Sequence, residues 1–430
     1  MRYSLKSCAV LIATLLVAAG TAYGQQPPDV VVSDINGDTA MGSGALFSSA
    51  GTYYNTAAGF HALYSDTTGN YNTAVGMNTL YANNGTANTA VGFGGLFFNT
   101  IGSFNTATGS QALFTNTSGS GNTADGDSTL ESNTSGSANT ATGNYALQAN
   151  TTGSNNTGAG TGALFTNSSG DSNTAIGANA LYQNESGYDN TASGSDALGS
   201  NTTGYYNIAS GSGALYSNTT GVRNMAVGHG ALHSLTTGSY NIGLGDDAGY
   251  QLSGGSNNVE VANFGVSTDS GTIRIGTSGT QTKTFIAGIE SAKVTGSAVY
   301  ITSSGQLGVL ASSERYKTAI APMGLNTEKL QRLRPVTFHL KTEPRGAVQY
   351  GLIAEEVNKV YPELVIRDDA GKIQGVRYDE LAPMLLSEVQ QQQRKIDAQA
   401  AKIRDLEGRQ GRIETALLKL QAKDELLAQR

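Results

Sequence analysis

The sequence predicts a mostly β protein. We expect a trimeric parallel β-roll or solenoid of 17-residue repeats, a β neck, and a small α+β domain that ends in a C-terminal trimeric coiled coil. Three observations lead to this fold class: a motif that recurs over residues 37–258, a change of charge content at residue 312, and an apolar heptad pattern at the C-terminal end.

The repeat is anchored by a polar residue that recurs from Asp38 and Asn55 to Asn241, at eleven intervals of 17 residues and one of 16. A glycine follows each anchor by four residues, and in the first twelve units a leucine follows it by eight. This period is too short for a helical pair. Thr, Val, Ile and Tyr favour strands, and Asn and Gly favour turns. Each repeat is therefore predicted to form one coil with two short strands and two turns.

Stacked coils place equivalent residues about 4.8 Å apart. We expect asparagines to lie on asparagines, and leucines on leucines, as ladders. The inward residues are mostly Ala, Gly and one Leu per coil, which is a thin core for one chain. Several chains that share an axis would bury the leucine row better, so the repeat predicts an oligomer, most simply a homotrimer.

Three functional interpretations of the repeat are weaker than a structural one. Glycosylation sequons of the form Asn-Thr-Ser or Asn-Thr-Thr occur in five repeats, at fixed turn positions where turn chemistry explains them better. Calcium-binding rolls repeat every nine residues with regular Asp, and here acids occupy no repeating position. His229 and His233 lie four apart in a non-helical segment and are expected to be surface residues. No metal and no cofactor is therefore expected. The sequon asparagines are Asn116, Asn133, Asn150, Asn201 and Asn218.

The charge distribution divides the chain. Residues 37–258 contain a single cation, Arg223, and 11 carboxylates, whereas residues 312–430 hold 20 Lys/Arg and 17 Asp/Glu. No basic block indicates nucleic acid as a partner. The 56 glycines and the low charge content of 14% belong mainly to the repeats.

The N-terminus has the pattern of a secretory signal peptide. Arg2 and Lys6 precede a short apolar run and then small residues, which predicts a leader over residues 1–24 with cleavage after Gly24. A membrane anchor would need about 20 apolar residues, so no transmembrane segment is expected in the mature chain. The only cysteine, Cys8, lies in the leader, which excludes disulfides from the mature protein. Residues 25–36 are a spacer.

After the repeats, residues 259–311 are predicted to form a β neck, which we expect to be intertwined. Its four short strands are expected at Val259–Val261, Thr272–Ile275, Thr284–Ile286 and Ala298–Ile301.

Residues 312–382 are predicted to be a small α+β domain, and residues 383–430 a coiled coil. The domain is expected to contain a strand over Arg334–Leu340, a helix over Leu352–Val360 and, from Tyr378, a helix that runs to the end. Along that helix, apolar residues recur at spacings of three and four, with Gln at three interior positions. A helix lying on a globular core is the alternative interpretation. The apolar members of this heptad seam, from Leu385 onward, are Leu385, Val389, Ile396, Ile403, Leu406, Ile413, Leu417, Leu420 and Leu427.

Four motifs resemble a known module, the endosialidase-type intramolecular chaperone found at the C-terminus of phage tail spikes, tail fibres and related surface proteins. They are Ser312-Ser-Glu-Arg-Tyr-Lys317, Tyr350-Gly-Leu-Ile-Ala-Glu-Glu-Val357, Tyr361-Pro-Glu-Leu-Val365 and Tyr378-Asp-Glu-Leu381. The resemblance implies that the module trimerises, aligns the upstream fibre and then releases itself by cutting before the motif serine with a Ser–Lys dyad. The implied cut lies between Ala311 and Ser312, with Ser312 as nucleophile and Lys317 as its activator.

Three further residues are candidate supports of this site. Ser313 stands where the family usually has Asp, which leaves the nucleophile arguable between two adjacent serines. Glu355 stands where Gln is frequent in the family. Arg315 either pairs with a carboxylate or is solvated.

The spacing of the dyad sets a geometric condition. Residues five apart lie roughly 16 Å apart on a strand and roughly 140° apart around a helix. A sharp bend or a neighbouring subunit must therefore bring Ser312 and Lys317 together, and cleavage is expected to be gated by assembly.

The repeats resemble the β-roll heads of trimeric autotransporter adhesins, and this resemblance implies binding at a surface. The leading hypothesis is a secreted or cell-surface homotrimeric fibre or adhesin, bacterial or phage-related, whose self-cleaving chaperone acts once as a serine peptidase. The sequence does not distinguish between a cell-surface glycan and a protein receptor as the ligand. The alternatives are an uncleaved adhesin with residues 312–430 as a trimeric foot and, less favoured, a glycan-degrading enzyme.

Overall fold

The computed structural model describes residues 32–49, 51–286, 298–302, 304–309, 311–368 and 370–428. The chain divides into two units, Met1–Phe285 and Ile286–Arg430, which are treated separately below. The predicted leader, residues 1–24, lies outside the described residues.

The first unit is a parallel β-solenoid. Consecutive coils pair in register, so that Thr174 lies beside Thr191 and Ala175 beside Ala192. Each coil contributes one three-residue strand, and the rest of the coil lies in turns and bends. The expectation of two strands per coil is therefore wrong.

Within the described residues the solenoid sheet has sixteen strands in sequence order, and β1 alone is antiparallel to its neighbour. The strands are β1 (Val32–Ser33), β2 (Thr39–Met41), β3 (Thr56–Ala58), β4 (Thr73–Val75), β5 (Thr89–Val91), β6 (Thr106–Thr108), β7 (Thr123–Asp125), β8 (Thr140–Thr142), β9 (Thr157–Ala159), β10 (Thr174–Ile176), β11 (Thr191–Ser193), β12 (Ile208–Ser210), β13 (Met225–Val227), β14 (Ile242–Leu244), β15 (Val259–Val261) and β16 (Ile273–Ile275). The parallel sheet thus continues through β15 and β16, in the segment predicted to be a neck.

The core of the solenoid closes within one chain. The leucine of each repeat from Leu63 to Leu232 is fully buried, and in ten of the eleven strands from β3 to β13 the middle residue is a buried Ala. The prediction that several chains are needed to bury the leucine row is therefore wrong. Any assembly of this protein has to be driven by other surfaces.

Close stacking constrains the backbone at two positions of each coil. A Cβ atom on Gly76, whose φ is +125°, would lie 2.0 Å from the carbonyl oxygen of Gly92 in the next coil. The core leucines also have positive φ, as at Leu147 with φ 54°. This conformation costs about 1–2 kcal/mol for an L residue. At Leu147 it accompanies full burial of the side chain and a 2.9 Å hydrogen bond from the amide to the oxygen of Ala163.

Two ladders of buried asparagines run along the solenoid. In the first ladder, formed by the repeat anchors, the amide N of Asn156 donates to Oδ1 of Asn139 (3.0 Å), and its Nδ2 donates to the oxygen of Gly170 (2.8 Å). In the second ladder, Nδ2 of Asn150 donates to Oδ1 of Asn133 (2.8 Å) and to the oxygen of Gly153 (2.9 Å). The predicted stacking of asparagine on asparagine is confirmed.

The asparagines of the five Asn-Thr-Ser and Asn-Thr-Thr sequons all belong to the second ladder. They are fully buried, and each Nδ2 donates two hydrogen bonds. In the folded solenoid these amides are therefore structural groups, which agrees with turn chemistry rather than glycosylation as the reason for the sequons.

Both ladders begin with an aspartate at their N-terminal end. Asp38 accepts from the amide of Asn55 and from Oγ1 of Thr52, and Asp66 accepts from Nδ2 of Asn83. A carboxylate has only acceptors, so it completes a ladder whose members all donate toward this end. At the other end, Oδ1 of Asn218 lacks a partner in the described structure, because the next position of the second ladder is Leu235.

The inward column of the sheet ends in charged residues. Glu260 takes the place of an inward Ala or Gly, is fully buried, and has no hydrogen-bond partner for either carboxylate oxygen among the described residues. Arg274, its neighbour on β16, donates instead to Asp269 through Nε (2.6 Å) and Nη2 (2.7 Å). Burial first, and the charge of Asp269 second, raise the pKa of Glu260 to about 7.

The second unit contains three two-stranded antiparallel sheets and a small core around Val357, Tyr361 and Leu364. The predicted long helix is present, the predicted helix near Leu352 is shorter, and Thr284–Ile286 is not a strand. The elements are β17 (Tyr300–Ile301), β18 (Leu307–Gly308), the 3₁₀ helices η1 (Glu314–Tyr316) and η2 (Gly324–Arg332), β19 (Val336–Phe338), β20 (Gln349–Gly351), α1 (Ala354–Val357), η3 (Pro362–Leu364), β21 (Val365–Arg367), β22 (Ile373–Val376) and α2 (Tyr378–Ala428).

The heptad seam of α2 faces solvent in the single chain. All nine apolar residues of the seam, from Leu385 to Leu427, expose more than half of their surface. The flank of α2 beside the start of this seam packs on η2 instead. The helix therefore keeps its apolar seam free.

Replacing a ladder asparagine by leucine should cost more in the middle of the second ladder than at its end. Asn150→Leu leaves Oδ1 of Asn133 and one N–H of Asn167 without partners, which predicts a loss of about 2–3 kcal/mol in the free energy of unfolding. Asn218→Leu only moves the existing end of the ladder by one coil, so its loss should be below about 1 kcal/mol. Equilibrium urea unfolding of the full chain measures both, and equal losses would contradict the ladder.

Removing the charge of Glu260 should stabilise the solenoid in a pH-dependent manner. Because its pKa is raised in the folded state from 4.5 to about 7, the native protein loses stability as pH rises across that interval. Glu260→Gln should therefore be more stable than the parent at pH 8, by on the order of 2–3 kcal/mol, and nearly equal at pH 4. The exposed Glu185→Gln is the control. A stability difference that stays constant between pH 4 and 8 would refute this assignment.

Candidate functional site

The candidate cleavage segment consists of two extended stretches joined by one tight turn. Ser313 is extended (φ −65°, ψ 142°), η1 follows, and Lys317 is extended again (φ −120°, ψ 143°). The turn is closed by hydrogen bonds from the amide of Tyr316 to the oxygen of Ser313 (3.0 Å) and from the amide of Lys317 to the oxygen of Glu314 (2.9 Å). A bend therefore lies between the two dyad residues.

The single chain does not assemble the dyad. Ala311, Ser312 and Lys317 are all exposed. In the parts of the chain that the structure describes, no hydrogen bond joins Ser312 to Lys317. An exposed lysine side chain is solvated, whereas a lysine that activates a serine has to be desolvated. The segment is thus accessible, and its two chemical groups lie on either side of a turn.

The three candidate supports have different surroundings. The oxygen of Ser313 closes the η1 turn, and its side chain makes no capping hydrogen bond. The guanidinium of Arg315 lies over the ring of Tyr316, 4.7 Å from its centroid, and in the described chain it forms no ion pair. Glu355 is exposed in the first turn of α1. In the described structure, no side-chain hydrogen bond or ion pair joins any of the three to the dyad.

An ion pair that was not predicted from the sequence joins Glu356 of α1 to Arg334, two residues before β19. Arg334 donates to Glu356 through Nε (3.1 Å) and Nη2 (2.5 Å). These hydrogen bonds hold the pKa of Glu356 below its ordinary value. The sequence marks Glu355 as a candidate but not its neighbour, since a pair of adjacent glutamates does not reveal which one faces inward.

Two of the recognised motifs meet at one hydrogen bond. The hydroxyl of Tyr378, the first residue of α2, accepts from the amide of Leu352 at 2.8 Å. A Cβ atom on Gly351 would lie 2.6 Å from that hydroxyl, so glycine is the residue that allows the approach. These motifs therefore dock the start of α2 onto the module.

A buried polar cluster ties η2 to α2. The carboxylate of Glu388 accepts from Oγ1 of Thr327 (3.3 Å), Nε2 of Gln331 (3.2 Å) and Nε2 of Gln392 (3.1 Å). Nε2 of Gln391 donates to Oγ1 of Thr327 (3.1 Å). Burial by itself would raise the pKa of Glu388, but these three hydrogen bonds lower it on balance. Because η2 follows the cleavage segment along the chain, this cluster links that segment to the long helix.

On the solenoid surface, one cluster has the composition of a metal site. Nδ1 of His229 lies 3.2 Å from Oδ1 of Asp246 and 3.8 Å from Oδ1 of Asp247. His229 and Asp246 are largely exposed. His233, which was considered together with His229, instead stacks between the rings of Tyr216 and Tyr250. The two histidines therefore do not share a site.

Aromatic side chains form partly exposed rows along the solenoid. In the longest row, consecutive rings stack nearly parallel with centroids about 5 Å apart. Each ring covers the face of the next, so a ligand would meet ring edges. A second cluster contains Arg223, the one cation of the repeats, whose guanidinium lies over the rings of Tyr206 and Tyr240. The longest row is Phe47, Tyr64, Tyr81, Phe97 and Phe114.

Comparison with known proteins identifies one region. Residues 312–366 match the family described as the chaperone of endosialidase. The match begins at Ser312 and includes the cleavage segment, η2 and α1. No curated protein and no solved structure shows significant similarity to the chain. Among the helices in the described ranges, none combines the length and the apolar character that crossing a bilayer requires.

Breaking the buried cluster should loosen η2 specifically. Glu388→Ala removes the acceptor of three hydrogen bonds, and we expect a local loss of about 2 kcal/mol. Hydrogen exchange of the amides of residues 324–332, measured by mass spectrometry in the full chain, should become roughly 30-fold faster. Asp405→Ala, which removes an exposed pair with Arg409 on the same helix, is the control and should leave those amides unchanged.

Proposed function

We propose that this protein is a secreted or cell-surface homotrimeric fibre of the tail-fibre type, whose C-terminal module assembles three chains and then cuts itself off between Ala311 and Ser312. The observation that carries the proposal is the family match over residues 312–366, which begins at the residue proposed to become the new N-terminus. The N-terminal leader, residues 1–24, would direct the chain out of the cell.

The long helix is the surface that would drive assembly. Its seam presents nine exposed apolar side chains from Leu385 to Leu427, and three such helices would bury them against each other. The core of the solenoid needs no partner. Assembly therefore serves to align complete solenoids rather than to complete their interiors.

The separation between folding of the solenoid and assembly by the C-terminal module has a kinetic reason. Each coil pairs with the coil 17 residues away, so a solenoid forms by propagation between neighbours. Bringing three separate chains into one register is a slower, concentration-dependent step, and incomplete assemblies expose apolar surface. A helical module that gathers the chains accelerates this step. Its removal afterwards leaves a fibre that is held by a kinetic barrier.

The proposed cleavage proceeds through an ester. A neutral amine of Lys317 takes the Oγ proton of Ser312, and Oγ attacks the carbonyl carbon of Ala311. The C–N bond breaks as the nitrogen of Ser312 takes a proton, which leaves an ester between Ala311 and Oγ. Water then hydrolyses the ester, so the products are a carboxylate at Ala311 and a free amino group and hydroxyl at Ser312.

Assembly would complete this site. In the single chain the dyad is exposed and no hydrogen bond joins its members, whereas Thr327 on η2 is held to Glu388 on α2. A change around α2 on trimerisation would reach the cleavage segment through η2. This arrangement supports cleavage that follows assembly rather than preceding it.

Serine substitution tests the cleavage. On expression, the parent chain should yield a fragment spanning residues 312–430 that begins with Ser312 on N-terminal sequencing, and Ser312→Ala and Lys317→Met should each abolish it. Ser313→Ala is the matched control and should still be cut. An uncleaved adhesin would remain at full length in all four proteins. Cleavage that survives in Ser312→Ala but disappears in Ser313→Ala would reassign the nucleophile.

Seam substitution tests the order of events. Leu406→Asp with Ile413→Asp should give monomers in sedimentation and no fragment, because charges in the seam prevent helix association. The solenoid should keep its β-sheet spectrum. A monomer that still cuts itself would refute gating by assembly.

A further inference from the structure

A stripe of aliphatic side chains covers the outer face of the solenoid sheet at its C-terminal end. On each strand the middle residue points into the core, and the first and third point outward. From β12 to β16 nine of these ten outward positions are aliphatic, and we call this set the aliphatic stripe. Its members are Ile208, Met225, Val227, Ile242, Leu244, Val259, Val261, Ile273 and Ile275.

The same face has different chemistry upstream. The first outward position is threonine in all nine strands from β3 to β11, and it becomes Ile, Met or Val from β12 onward. Threonine, isoleucine and valine are all β-branched and all favour strands. Strand formation therefore does not require the change. What the change adds is apolar surface, which is unfavourable in water unless another surface covers it.

The stripe is continuous and uncharged, and seven of its nine members are exposed. Five adjacent strands at about 4.8 Å spacing extend it over roughly 19 Å. Ile273 and Ile275 expose 69% and 76% of their surface, on the last strand of the sheet. Arg274, which lies between them, bonds to Asp269 and does not join this face. The coils upstream carry most of the carboxylates of the repeats.

We propose that the aliphatic stripe is the surface through which copies of this chain contact each other in the fibre, its occupant being the same stripe of a second copy. This proposal rests on the proposed function. Association through α2 would hold identical solenoids together at their C-terminal ends. The stripe lies at that end, so the effective concentration of one stripe toward the stripe of another copy would rise. Identical neutral stripes meet without like-charge contacts, whereas the acidic coils upstream would repel each other.

Single-cysteine cross-linking in the full chain tests the stripe. The background is Cys8→Ser with Ser312→Ala, which removes the only cysteine and keeps the solenoid and α2 on one polypeptide. Ile242→Cys reports on the stripe. Thr140→Cys, in the same outward column six strands upstream, is the matched control, and Leu406→Cys reports on the heptad seam. A short bismaleimide should give at least tenfold more covalent oligomer at position 242 than at position 140.

The three reporters distinguish the two proposals. Cross-linking at position 406 without cross-linking at position 242 would overturn the stripe contact and leave trimerisation by the helix intact. Monomers in sedimentation, with cross-linking at neither position, would overturn both. Cross-linking at positions 242 and 140 to the same extent would show that the solenoids pack along their whole length, and would also overturn the stripe as the specific contact.

Discussion

The hydrogen bond from one buried asparagine to the next is the interaction on which the solenoid depends. It joins residues of adjacent coils and is available only when both amides face inward at the same height. A buried amide without partners costs about 1–3 kcal/mol, so a coil that leaves this register is penalised at two ladders at once. Register, strand pairing and burial of the leucines all follow from this condition.

The condition also explains where the repeat tolerates change. The interval from Asn72 to Asn88 is one residue short, yet the amide of Asn88 still donates to Oδ1 of Asn72 at 2.9 Å, and Thr73 still pairs with Thr89. The missing residue comes from the turn between Asn83 and Gly85, which lies outside the strand. The third residue of each strand points outward and varies widely, because the ladders do not hold it.

The period of 17 and its fixed residues were enough to predict a stacked solenoid with asparagine ladders. The number of strands per coil could not be predicted, because Thr and Tyr favour strands at positions where the coil in fact turns. The core leucines adopt a positive φ, as Leu147 does, which local propensity disfavours and only packing stabilises. The closure of the core within one chain could not be predicted either, because the geometry of the turns decides how small a cross-section one coil can enclose.

In the module, the motifs predict where the candidate site lies but not its contacts. Residues 312–317 were predicted from the sequence, and a tight turn lies between the two residues of the predicted dyad. The long-range partners Arg334 with Glu356, and Thr327 with Glu388, could not be read from the chain. Each joins residues 22 or more positions apart, and no local pattern marks them.

The two units bury their apolar residues in opposite ways, and the difference bears on how the proposed fibre would form. The solenoid buries every core leucine from Leu63 to Leu232 by stacking its own coils. Burial of these side chains stabilises the fold of a single chain. Helix α2 leaves its apolar seam exposed to water, and burial of this seam between chains would favour association. If each solenoid folds independently and association occurs through α2, assembly would bring together solenoids that are already folded. Cutting at Ala311 would then remove the surface that drives association, and only contacts between the shafts would remain to hold the fibre.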